Sequence, residues 1–183
     1  MVKRILVITI IMGLGIAVQY ASAQTIAPKN KQLRHQLLQA VNSSKTTDSL
    51  YSSLNATPNK SPLLVGYMAT LQALQAKHTW NPYTKIKQIS NAEKTFGKAI
   101  AADPHSLELR FMRFSVEYHL PGFLGLSKNM EADKQEIFLQ LNNKQQVIAD
   151  RDLVVGVINF LLETNTHTAA EKIDLNKQLA SLQ

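Results

Sequence analysis

Three prolines cut the middle of this chain into helix-length pieces, and each stands where a helix would begin or end. Ser61-Pro62 and Asn81-Pro82 each pair a side chain able to cap a helix with a proline suited to its first turn, where a missing N–H loses nothing. Asp103-Pro104 closes the second piece, because the ring disfavours helical geometry in the residue before it. Around these marks apolar residues recur every three or four positions, and no run alternates as a half-buried strand does. Alanine, leucine, glutamine and lysine, all good helix formers, dominate the chain. Glycine is sparse beyond residue 23, at Gly66, Gly97, Gly122, Gly125 and Gly156. The expected fold class is all-α, with seven to eight helices joined by short turns into antiparallel hairpins.

The periodicity places a first helix over about Lys31 to Val41, with Leu33, Leu37, Leu38 and Val41 on one face. Asp48 is the expected cap of a second helix reaching about Ala56. The third runs from Pro62 to about His78, carrying Leu64, Met68, Leu71 and Leu74. From Pro82 onward Tyr83, Ile86, Ile89, Ala92, Phe96, Ala99 and Ile100 form the strongest amphipathic stripe, with Lys85, Lys87, Lys94 and Lys98 mostly opposite. Further helices are expected over about Ser106–His119, Asn129–Leu141 and Asp150–Leu162. A last one is opened by the capping box Thr168-x-x-Glu171.

The N-terminus reads as an address. Lys3 and Arg4 precede an apolar run from Ile5 to Val18, and Ala21-Ser22-Ala23 offers the small residues that signal peptidase requires. Residues 1–23 are therefore expected to be a signal peptide, 24–30 a loose tail, and 31–183 a single helical domain; an uncleaved N-terminal anchor is the competing reading. The chain is then exported, to the periplasm in a Gram-negative cell and otherwise secreted. The 160 residues left suffice to bury a core without staples, and the absence of cysteine agrees. That absence also excludes thiol catalysis, cysteine-based zinc sites and iron–sulfur clusters. Basic residues outnumber acidic ones 20 to 13; the leader carries Lys3 and Arg4 and no acid, leaving 18 against 13, a net +5. In an exported chain this surplus suits acidic proteins, anionic lipid or glycan rather than nucleic acid, and its scatter is expected to serve solubility alone. No apolar run after cleavage reaches the ~20 residues of a membrane span.

Ala92, Phe96, Ala99 and Pro104 lie four, three and five residues apart. The segment Phe96-Gly97-Lys98-Ala99-Ile100-Ala101-Ala102-Asp103-Pro104 resembles the second helix of a tetratricopeptide repeat: the small residues let helices approach, the aromatic fills the gap and proline ends the unit. The resemblance covers about residues 62–119, roughly one and a half units; Gly66 falls where the family favours glycine, whereas the aromatic partners of the first helix do not match. It implies a scaffold that holds a protein or peptide in a groove without catalysis.

The segment 107–129 is densest in side chains able to bind. Arg110, Arg113 and Glu117 form a stripe at helical spacing, and Arg113 can pair with Glu117 one turn on. The two guanidinium forks suit an acidic group of a partner, with Tyr118 and His119 bordering the site. The alternative is that both arginines pair inside the domain with Glu108, Glu117 or Asp133. Phe123 and Leu124, in the apolar loop 121–126, either plug the end of the bundle, as expected, or form a contact patch. Trp80 is expected to plug a turn, its alternative being an exposed anchor. His35, His78, His105, His119 and His167 lack metal-like spacing, so neither metal nor cofactor is expected. The chain also lacks a nucleophile elbow and a phosphate loop, and no enzymatic activity is expected. The expected function is an exported, soluble interaction protein that binds a protein or peptide of the cell envelope, possibly acidic. The alternative is a carrier of lipid or another apolar molecule, walled by Phe111, Phe114, Phe123 and Leu124.

Overall fold

The computed structural model describes residues 30–122, 125, 127–164 and 166–182. Residues 1–29, where the signal peptide and loose tail are expected, and Phe123, Leu124 and Leu126 of the apolar loop lie outside the described residues. Within these bounds the chain is all-α, with nine helices and no strand. They are α1 (residues 30–40), α2 (Ser44–Ala56), α3 (Pro62–His78), α4 (Pro82–Ala102), α5 (Leu107–Tyr118), α6 (Met130–Leu141), α7 (Lys144–Ala149), α8 (Arg151–Glu163) and α9 (Ala169–Ser181).

Capping chemistry sets most of these boundaries. The side chains of Ser61, Asn81, Ser106, Asp150 and Thr168 each accept a backbone N–H from the first turn of the helix they precede. At α9 the box is complete, because the Glu171 carboxylate also takes the Thr168 N–H at 2.6 Å. The start of α2 differs from expectation: Ser43 is the cap, accepting from Thr46 N at 3.1 Å, and Asp48 lies inside the helix with its carboxylate on Gln75 Nε2. The extra helix, α7, has six residues, too few to show a period.

Two apolar clusters form the core, and α5 belongs to both. Leu33, Leu54, Tyr67, Met68, Leu71, Phe96 and Ile100 build the first, to which α5 contributes Leu109 and Met112. Ile137, Leu141, Val154, Val157, Ile158, Leu161 and Leu175 build the second, to which α5 contributes Leu107 and Phe114. Fully burying each such side chain stabilises the fold by roughly 1.5–3 kcal/mol. Gly66 admits α5 to the first cluster: a Cβ there would stand 2.2 Å from Leu109 Cδ2 and 3.0 Å from Met112 Cε.

The three-residue link Thr79–Asn81 folds α4 back along α3, and α5 follows α4 after the four-residue link Asp103–Ser106. Their lengths do not match. At ~1.5 Å per residue α4 is about 31 Å long and α5 about 18 Å. Residues at the end of α5, Val116 and Glu117, stand opposite Ile89, Ala92 and Glu93 across a shallow cleft. The apolar stripe of α4 is buried from Ile89 to Ile100, while Tyr83 and Ile86 overrun the cover. On α1 the expected face is likewise rotated: Leu33 and Ala40 are buried and Leu38 faces out.

Candidate functional site

The charged stripe of α5 turns inward. Arg113 grips the Asp133 carboxylate with both ends of its fork, Nε to Oδ2 at 2.6 Å and Nη2 to Oδ1 at 2.7 Å. Arg110 adds Nη1 to the same Oδ1 at 2.9 Å and gives its Nε–H to the Pro104 carbonyl. Asp133 lies in the first turn of α6, fully buried, so its charge is met by two guanidinium groups and the positive end of the helix. Glu117 does not bond Arg113 as the spacing predicts. It reaches the other way, where Oε2 accepts the Asn129 backbone N–H at 2.9 Å and Oε1 accepts Asn129 Nδ2 at 2.6 Å. Burial pushes the Glu117 carboxyl up, against the pull of Asn129 and Arg113. The acid that occupies both arginines is thus Asp133, one of the internal partners named above.

A second polar cluster joins α1, α3, α5 and α8, and nothing in the sequence spacing reveals it. The Tyr67 hydroxyl donates to Glu108 Oε1, Arg34 Nη1 lies 3.3 Å from Glu108 Oε2, and Arg34 Nη2 meets Asp150 at 2.6 Å. Its members are 33 to 42 positions apart or more, beyond any helical period. Burial pushes the Glu108 carboxyl up, while Tyr67 and Arg34 draw it back. Burial and the Glu108 charge push the Tyr67 phenol up as well. In Glu117 and Asp133 both carboxylate oxygens accept hydrogen bonds within the chain, and in Glu108 Oε1 accepts one while Oε2 faces Arg34, so these groups hold helices together.

What faces solvent is aromatic. At the end of α5, Tyr118 and His119 meet Phe160 of α8 with ring centroids 5.8 and 6.1 Å apart, and Phe111 joins edge-on at 5.3 Å. Phe111 is half-buried in this rim, Tyr118 is 39% exposed and His119 is open. Phe114 also packs edge-on against Phe160, at 6.3 Å, so two of the rings named for a carrier's wall, Phe111 and Phe114, both rest on Phe160. Phe123, expected beside them, lies outside the described residues. Trp80 is not a plug: it is 99% exposed, in the link between α3 and α4. It projects with Tyr83, 84% exposed, and Ile86, 53% exposed.

Among the described residues no three His, Asp or Glu side chains gather as a metal site would need, and no helix is long and apolar enough to cross a membrane. Comparison with protein-family models, with curated proteins and with solved structures gives no match to this chain.

Proposed function

We propose that the protein is an exported, non-catalytic interaction protein of the cell envelope, which holds a protein or peptide against the aromatic rim of Phe111, Tyr118, His119 and Phe160. The observation that carries this reading is the rim itself: four rings locked edge-on on two packed helices, with Tyr118 and His119 open to solvent. Rings already held in place lose little freedom on binding, and aromatic anchors dominate the energy of many interfaces. The tetratricopeptide-like reading is supported by Ala92, Phe96 and Ala99, all buried on α4, with Pro104 following that helix and Gly66 admitting the next. The leader-like residues 1–23 support export.

The test is crosslinked capture from the protein's own envelope with native chain and with Tyr118→Ala/His119→Ala. Both side chains are exposed, so the variant keeps its fold, as helical circular dichroism will verify. The expected result is one protein enriched by the native chain and depleted at least about tenfold in the variant. Equal enrichment by both sinks the reading.

A further inference from the structure

The overhanging end of α4 is a second surface, distinct from the rim, and its composition says what it meets. Trp80, Tyr83 and Ile86 project past the end of α5 over about 10 Å of helix. Lys87 follows Tyr83 by one turn and borders the apolar face, whereas Lys85 lies on the polar side of the helix; both are exposed. The sequence has no Asp or Glu between Asp48 and Glu93, while Lys60, Lys77, Lys85 and Lys87 all fall in that stretch. Of the neighbouring elements, α2 sends Asp48 towards this end, where it accepts Gln75 Nε2, and the end of α1 receives Lys77 Nζ on the Val41 carbonyl at 2.8 Å.

We propose that this end of the molecule is a membrane-surface contact for anionic lipid, with Trp80, Tyr83 and Ile86 entering the headgroup boundary and Lys85 and Lys87 meeting lipid phosphates. Three properties favour a lipid surface over a protein pocket. The feature is a projection, so it offers no groove to a peptide. Its rings combine an apolar body with a polar N–H or O–H, which suits the layer between water and acyl chains. Its flanking charge is positive, complementary to anionic headgroups.

Trp80 is the only tryptophan in the chain, so intrinsic fluorescence reads this spot alone. The measurement follows its emission in the full chain as phosphatidylglycerol vesicles are added, with phosphatidylcholine vesicles as the neutral control. All variants keep the same N-terminal residues, so differences between them belong to α4. The expected result is a blue shift and protection from iodide with phosphatidylglycerol and much less with phosphatidylcholine. Lys85→Gln with Lys87→Gln should weaken partition roughly fivefold for each lysine removed, and added salt should act in the same direction. Tyr83→Ala with Ile86→Ala should weaken it too while helical circular dichroism stays unchanged. Emission unmoved by phosphatidylglycerol overturns the proposal, as does partition indifferent to both double variants. So does emission already blue before vesicles are added: a doubled mass would then assign the face to a second copy, and an unchanged mass to another part of the same chain. A shift produced by an envelope protein and not by vesicles overturns it in favour of a protein partner.

Discussion

Asp133 carries more of this structure than any other single side chain described above. Its two oxygens receive three N–H groups from Arg110 and Arg113, all within 2.6–2.9 Å. Replacing the carboxylate by alanine leaves the buried Arg113 guanidinium unpaired beside the partly exposed Arg110, and removing one partner of a buried pair typically costs about 3–5 kcal/mol. Asp133→Ala is therefore expected to lower unfolding free energy by about 3–5 kcal/mol in urea titrations. The two arginines are unequal. Arg113 is buried and bidentate, whereas Arg110 gives one bond to Asp133 and lies nearer the surface, so Arg113→Ala should be the more damaging. The sequence shows that these residues share a stripe, and the stripe exists. Which acid it meets was not legible, because Asp133 lies 20 residues beyond Arg113 and reaches it only through the α5–α6 packing.

At the scale of elements, local signals were readable and relative lengths were not. Caps and prolines act within four residues, so the starts of α3, α4, α8 and α9 follow from sequence alone. The amphipathic stripe on α4 is equally real over its whole length. Its first two turns are exposed for a reason no local pattern contains: which neighbours a helix meets along its length is set by tertiary packing, and that packing buries α4 only from Ile89 onward. Trp80 was expected to be covered for the same want of information. The glycines give a test of close packing. Gly66→Ala would push a Cβ into Leu109, which has no room to yield because it is fully buried. Overpacking costs about 1–3 kcal/mol and outweighs the ~1 kcal/mol that alanine returns as a helix former. Gly97, on the exposed side of α4, meets nothing within 4 Å; Gly97→Ala should raise stability by about 0.5–1 kcal/mol. Thermal melts of the two variants are expected to move in opposite directions.

Across the whole molecule, charges tie the first helix to the last third of the chain. Lys31 meets Asp152 at 2.5 Å and Arg34 meets Asp150 at 2.6 Å, with Glu108 beneath them. Two buried carboxyls, Glu108 in this junction and Glu117 beside Asn129, make part of the stability depend on pH in one direction. A carboxyl that holds its proton more tightly when folded favours folding while it is protonated. That contribution is complete below the ordinary value of 4.5 and is lost as pH rises through the raised folded value, as holds for both Glu108 and Glu117. Glu136 and Glu171 behave oppositely: their folded values are lowered, so their contributions are present above 4.5 and lost as pH falls through the folded values. Glu108→Gln keeps an acceptor for Tyr67 and removes one of the two falling terms. A urea series from pH ~4 to ~8 should show a shallower decline above 4.5 in this variant than in the native chain.

The position of α5 between both cores has a consequence for descent. Leu109 and Met112 answer to one cluster, Leu107 and Phe114 to the other, and Glu108, Arg110, Arg113 and Glu117 to buried polar partners. A residue hemmed in by a single neighbour can drift when that neighbour drifts with it. In α5 neighbouring positions answer to different environments, so a shift of the helix that relieves one contact disturbs the others. The helix from Leu107 to Glu117 can therefore change only in concert with both cores and their polar ties.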